Sequence, residues 1–115
     1  MIENILIKKL DKAVGNIRAY GEVPKDKPSE YILVEKTGGA LENQIWKSII
    51  AIKSISAKSK YRASFINDEV IKFLLTYQDA DIASCALNTS YEYTNTSTKE
   101  YRYQAVFQIT HYQEG

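Results

Sequence analysis

Two stretches of the chain repeat their apolar residues every three or four positions, the spacing of one face of an α-helix. The first runs from about residue 2 to 14 and ends at Gly15, a residue that commonly terminates helices. The second begins after Ser56 or Ser59, either of which can cap it, and ends at the segment DADIAS. Its apolar positions are Tyr61, Phe65, Ile66, Val70, Phe73, Leu74 and Tyr77.

The rest of the chain is rich in β-branched and aromatic residues, which is typical of strands. Predicted strands cover 17–20, 31–37, 44–56, 82–94 and 99–112. The segment 44–56 is apolar on both faces, so we expect a central strand. The order α-β-β-β-α-β-β predicts one α+β domain, residues 1–115, with a mostly antiparallel sheet and two helices packed on it.

Turn-forming residues predict how these strands are connected. Gly38 and Gly39 follow an apolar strand and tolerate positive φ at little cost, so we predict a hairpin turn there. The polar linker TNTST separates the last two strands. We expect these strands to pair antiparallel through residues 95–98, with Tyr93 facing Tyr101.

Composition and charge exclude several classes of protein. The 115 residues include 15 basic and 14 acidic side chains, which gives a net charge of +1. So small a charge does not attract the whole chain to nucleic acid or to acidic membranes. No apolar run approaches the roughly 18 residues that span a bilayer. A single cysteine and an N-terminus unlike a secretory signal indicate a cytosolic protein. Nine tyrosines suit half-buried sheets and subunit interfaces alike.

One local charge pattern interrupts this balance. No acidic residue stands between Trp46 and Asn67. Three of the basic residues in this run crowd the start of the second helix, where the helix dipole disfavours cations. Either they form a solvated face, or they meet an anionic partner such as DNA or an acidic patch of another subunit. The run comprises Lys47, Lys53, Lys58, Lys60 and Arg62.

Residues with catalytic or metal-binding chemistry are few and scattered. His111 is the only histidine and is expected at the surface near a strand end. Cys85 lies in the apolar context IASCAL, which favours a buried, inert thiol. Asp79 and Asp81 are interpreted as a solvated helix end. With no triad, metal set or phosphate loop in the sequence, we expect no enzyme activity, cofactor or metal.

The segment VPKDKPSEYILVEKTGG, residues 23–39, resembles a signature of small phage and prophage proteins. In that signature Pro-x-Asp-x-Pro precedes a strand ending in Glu-Lys/Arg-Thr-Gly-Gly. The family is the tail terminator, or tail completion, proteins of long-tailed bacteriophages. Most of the chain is similar in order, but only residues 24–39 match as a motif. The segment SISAKS and the high tyrosine content depart from the family pattern.

The resemblance implies a structural role without catalysis or cofactor. Such proteins form rings, usually hexamers, which cap the tail tube, stop its polymerisation and present a joining surface to the head. The implied partners are further copies of this chain, the tail tube protein and the head-side connector, and DNA passing through the ring is a candidate for transient contact. The implied location is the virion tail, and the host cytoplasm during assembly, with no membrane involved.

The ring implied by the family assigns a role to the predicted hairpin. A projecting hairpin can reach a neighbouring subunit, so we expect its residues at the subunit interface. A head–tail connector or neck protein is one alternative. A monomeric module that binds nucleic acid or a protein through the basic run 47–62 is another. The expected interface residues are Glu35, Lys36, Thr37, Gly38, Gly39 and Leu41.

Overall fold

The computed structural model of the protein describes residues 2–42, 45–76, 82–92 and 100–111. They form two helices and five strands in the predicted order, and the strands form one sheet. The predicted α+β class is therefore confirmed. The elements are α1 (Ile2–Leu10), β1 (Arg18–Tyr20), β2 (Glu30–Glu42), β3 (Ile45–Ser56), α2 (Lys60–Thr76), β4 (Ile82–Glu92) and β5 (Tyr101–His111).

The strand order in the sheet is β1-β2-β3-β5-β4, and every pair is antiparallel except β1 with β2. The prediction of a central third strand is confirmed, because β3 lies between β2 and β5. The antiparallel pairing of the last two strands is also confirmed. Tyr93, the linker 95–98 and the pair Asp79 and Asp81 lie outside the described residues.

Both helices pack on one face of the sheet, which we call the helix face. The main core lies there, and α1 and α2 contribute Leu6, Ile66 and Val70 to it. The strands contribute alternate residues, as expected for a face with a period of two. These strand residues are Ala19, Ile32, Val34, Ile50, Ile52, Ala105, Phe107 and Ile109. The other side, the opposite face, carries a smaller cluster of Tyr31, Leu33 and Ile55 with Tyr20 against it.

The first helix is shorter than predicted. The observed helix α1 ends at Leu10, and the chain then turns through Lys12 and Gly15, whose φ angles are +62° and +59°. The Lys12 amide donates a 2.9 Å hydrogen bond to the carbonyl of Ile17. Val14 lies after the end of α1 but is still buried in the main core. The apolar residues therefore continue at helical spacing beyond Leu10, although the chain there is no longer helical.

The predicted turn at Gly38 and Gly39 is wrong. Both glycines lie within β2 with φ outside the positive range, and they pair with Ile49 and Ser48 of β3. A register shift at Thr37 makes room for one extra residue, which is the usual geometry of a β-bulge. A Cβ on Gly39 would lie 3.1 Å from the Lys47 carbonyl oxygen, so glycine permits a close backbone approach there.

The proline segment forms the connection between two parallel strands. Parallel neighbours cannot be joined by a tight hairpin, and residues 21–29 carry the chain from β1 back to the start of β2. From this connection Lys27 reaches Glu100 on the opposite face, with 3.2 Å between its Nζ and a carboxylate oxygen. Pro24 and Pro28 restrict the backbone of a long connection that has no helix of its own.

Candidate interaction surfaces

The expected interface residues all lie on the second half of β2. This half still pairs with β3, but it lies beyond the three residues of β2 that pair with β1. In the described part of the chain, β1 pairs with Tyr31–Leu33 of β2 alone. Within the described residues, no strand pairs with the outer edge of β2 from residue 35 to 42. Leu41 is the exposed large apolar residue of this segment, with 55% of its surface accessible. The structure thus brings the six residues together along one strand edge, but not around a turn.

Three polar members of this set contact β3. Lys53 donates to Glu35 at 3.2 Å, and the Thr37 hydroxyl donates to the Ile49 carbonyl at 3.3 Å. The ammonium of Lys36 lies 5.4 Å from the ring centroid of Trp46, within cation–π range. These contacts stiffen the bulged part of the hairpin. Their role at a subunit interface stays a prediction.

His111 is buried, so the expectation of a surface histidine is wrong. Its Nε2 is 2.7 Å from the Ser48 hydroxyl, and its ring stacks on Trp46 at 6.5 Å with 12° between the planes. Only 1% of the residue is accessible. The alternation that begins at Ala105 and Phe107 continues to His111, and that period indicates the helix face. The alternation in the sequence therefore already indicated that His111 is buried, although its position near the end of a strand favoured a surface location.

Cys85 packs against the main core from β4 and is half-buried. Burial raises the pKa of its thiol to about 11, so the thiol is protonated at neutral pH. A protonated thiol is a poor nucleophile and a poor metal ligand. This geometry agrees with an unreactive structural cysteine.

The basic run does not form one surface. Lys47, which is exposed, and Lys53, which is half-buried, both lie on β3 and point to the opposite face of the sheet. The other three residues surround the start of α2. The Ser59 hydroxyl accepts a hydrogen bond from the Arg62 amide at 3.1 Å, which identifies Ser59 as the cap. The sequence run therefore separates into a group at the helix start and two lysines elsewhere on the sheet.

Carboxylates from other elements meet the cations at the start of α2. Arg62 donates to both oxygens of Glu30, at 2.8 and 2.9 Å, and Lys58 lies 4.0 Å away. Lys60 forms a 3.0 Å ion pair with Glu92. These pairs offset the unfavourable position of basic residues at a helix N-terminus. The charge pattern thus has a structural explanation within the chain, and an anionic partner stays a prediction.

Glu30 is the centre of this ion cluster, and sequence reasoning missed it. Its side chain is only 8% accessible and accepts a third hydrogen bond, from the Ser56 hydroxyl at 3.0 Å. The hydrogen bonds from Arg62 hold the pKa of this carboxyl below its ordinary value despite burial. Residue 30 lies 32 positions before Arg62, so no local pattern indicates their pairing.

A second partly buried carboxylate, Glu100, lies on the opposite face. Burial acts to raise the pKa of Glu100, but hydrogen bonds from Arg102 at 2.9 Å and Lys27 at 3.2 Å lower it below the ordinary value. The Tyr31 hydroxyl is 3.5 Å from the same carboxylate. The cluster ties the proline segment to the sheet.

Among residues 2–42, 45–76, 82–92 and 100–111, no group of three His, Cys, Asp or Glu side chains is placed to hold a metal ion. Nor does either helix in that part of the chain have the length and apolar character needed to cross a membrane. No known protein-family model matches the chain, and no curated protein matches its sequence.

Proposed function

We propose that this protein is a structural component of a bacteriophage tail. It caps the tail tube as a ring of copies, ends tail polymerisation and forms the surface that joins the head. Its partners are further copies of the chain, which make a ring such as a hexamer, the tail tube protein and the head-side connector. It acts in the virion tail after assembly in the host cytoplasm. The role requires neither catalysis nor a cofactor.

The observation that carries the proposal is the extended β2–β3 hairpin. It contains the strand of the phage-like motif, and its last part has an unpaired outer edge among the described residues and an exposed Leu41. An exposed apolar side chain beside free backbone groups suits contact with another chain. The motif resemblance of residues 24–39 supports the same role. The observed order of helices and strands is compatible with the similarity in order that most of the chain has with this family.

The two alternatives have less support. A head–tail connector or neck protein would use the same kind of ring, so only the identity of its binding partner separates it from the proposal. A monomeric module using the basic run is not favoured by any specific contact. The run is divided over two faces of the sheet, and its members at the start of α2 pair with Glu30 and Glu92.

The experiment compares two surface substitutions of the same kind. Leu41→Lys places a charge on the hairpin, and the control Leu75→Lys places one on α2, where leucine is also exposed, at 49%. Both variants should unfold at nearly the wild-type denaturant concentration. We expect Leu41→Lys alone to weaken ring formation and to give tails of uncontrolled length, or heads without tails, in cells that produce the phage.

Size-exclusion chromatography with light scattering, with and without tail tubes, measures the assembly. A wild-type chain that stays at 13.1 kDa even with tail tubes present would contradict the proposal. Rings that bind the head-side connector but not the tube would favour the neck protein. If a folded Leu41→Lys variant gave normal tails, the hairpin would not be part of the subunit interface.

A further inference from the structure

We propose that copies of this chain join edge to edge, with β4 of one copy pairing antiparallel with the last part of β2 in the next. This inference rests on the proposed ring and specifies how that ring is held together. The pairing would make the sheets of neighbouring subunits continuous around the ring. The two surfaces are the outer edge of residues 38–41, which we call the β2 edge, and the outer edge of residues 84–87, which we call the β4 edge.

Both edges have backbone groups that are unpaired in the part of the chain that the structure describes. Among the described strands, β4 is the last of the sheet and pairs with β5 alone. β1 occupies just three positions of β2, Tyr31 to Leu33, and leaves the β2 edge open. Unpaired N–H and C=O groups along a strand edge are a template for another strand. One chain therefore carries two such templates on opposite sides of its sheet.

The two edges have the strand directions that a ring requires. β2, β3, β5 and β4 are neighbours in that order and each adjacent pair is antiparallel, so β4 runs opposite to β2. Consider a second copy rotated about an axis roughly along the strands. Its β2 keeps the direction of the first copy's β2 and is antiparallel to the adjacent β4. Such a heterologous contact uses a different face on each side and closes into a ring when the rotation does.

The two edges also lie at the same height along the sheet. Ala40 pairs with Lys47, which pairs with Thr110, which pairs with Ser84. One step further, Gly39 is connected in the same way through Ser48 and Ile109 to Cys85. A neighbour placed without a shift along the strands therefore brings the β2 edge directly against the β4 edge.

The residues of both edges suit close pairing. The β2 edge follows the bulge at Thr37, and the β4 edge lies between two register shifts, so each is a regular stretch. Gly38, Gly39 and Ala40 meet Ala86, Cys85 and Ser84 respectively, and all six residues are small. Neither edge contains the proline or the lysine that natural proteins use to block an exposed strand. A Cβ on Gly38 would touch nothing within 4 Å, so packing inside the protomer does not require this glycine.

The test is a charge cycle at Ala40 and Ser84, which lie at the same height and therefore face each other across the contact, and which are both exposed and both on the opposite face. Glutamate at 40 is tolerated within the chain because position 40 pairs with Lys47. In the ring, Ala40→Glu with Ser84→Glu brings like charges together across the contact. The matched variant, Ala40→Glu with Ser84→Lys, brings opposite charges together. The single substitutions complete the cycle.

We expect the concentration at half-assembly to be roughly tenfold or more higher for the Glu/Glu variant than for the Glu/Lys variant, since cross-strand charge pairs act at this scale. Increasing salt should reduce the difference. Both double variants should unfold alike as monomers in denaturant, which separates assembly from folding. Light scattering at a series of protein concentrations, with tail tubes added, measures the assembly.

Each outcome decides between the two proposals. Wild-type rings that cap tubes, with equal assembly of the Glu/Glu and Glu/Lys variants, would overturn the edge pairing and leave the tail function standing. A wild-type chain that forms no ring under any of these conditions would overturn both. Edge-paired rings that ignore tail tubes would support the pairing and refute the tail function.

Discussion

Replacing Glu30 with glutamine tests the ion cluster that joins the start of β2 to the start of α2. Glutamine keeps the size of the side chain and removes its charge. The carboxylate is 8% accessible and accepts hydrogen bonds from Arg62 at 2.8 and 2.9 Å and from Ser56 at 3.0 Å. The substitution therefore weakens two charge-assisted hydrogen bonds and leaves Arg62 without its paired charge.

The structure sets the size of the expected loss. Hydrogen bonds to charged groups contribute about 1.5–3 kcal/mol, and breaking a buried ion pair costs about 3–5 kcal/mol. The Arg62 side chain is 36% accessible, so water replaces part of what the guanidinium loses. We therefore expect Glu30→Gln to lower the free energy of unfolding by about 2 kcal/mol at pH 7. That is a large share of the about 5–15 kcal/mol typical of a domain.

The loss should depend on pH in a defined direction. Arg62 lowers the pKa of Glu30 in the folded protein below its ordinary value of 4.5. A carboxyl with a lowered pKa stabilises the fold above its unfolded pKa, and this stabilisation is lost as pH falls through the folded pKa. The difference between wild type and Glu30→Gln should thus be full at pH 7 and shrink below pH 4.5.

Urea unfolding, followed by circular dichroism across this pH range, measures the difference. The control is Glu35→Gln on the same strand, because Glu35 is 43% accessible and forms a single 3.2 Å ion pair with Lys53. An exposed pair of this kind contributes less than about 1 kcal/mol. A Glu30→Gln loss no larger than that of the control, or one unchanged by acid, would refute the reasoning.

Two further substitutions and one chemical reaction test other parts of the fold. Phe107→Ala should destabilise the protein by about 3–5 kcal/mol, because the ring is fully buried in the main core. Urea unfolding measures this loss, and Val106→Ala, at a half-buried neighbouring position, is the control. Ser59→Ala should cost about 1 kcal/mol by removing the cap of α2, and a loss near zero would contradict the capping contact. Cys85, whose pKa burial raises from 9.0 to about 11, should react with iodoacetamide at pH 8 about 100-fold more slowly in the folded protein than in urea, and equal rates would contradict its burial.

The sequence by itself determined the kind and the order of the elements. The apolar period of three and four marked α2, and strand-like composition marked β3 and β5 close to their observed ends. The apolar character of both faces of β3 indicated its central place in the sheet. These features were readable because periodicity and strand propensity are properties of a local stretch of chain, and burial of one face is enough to select the element.

Only the tertiary structure decided how these elements meet. The glycines at 38 and 39 favour a turn locally, but twelve residues of β3 pair along β2 and hold them in a strand. The alternation along β5 indicates which face His111 points to, but its nearly complete burial depends on β5 lying between β3 and β4, an order that no local pattern specifies. The ion pair of Glu30 with Arg62 joins residues 32 positions apart.

The same distinction applies to the candidate surface. The motif indicated which residues of β2 to consider, but not that they form an open edge. That edge exists because β1 is only three residues long and covers the beginning of β2 alone. A matching edge on β4 exists because β5 pairs with β3 and places β4 outermost among the described strands. Exposed backbone edges are set by which strands become neighbours, and that choice depends on the burial of the whole sheet against its two helices.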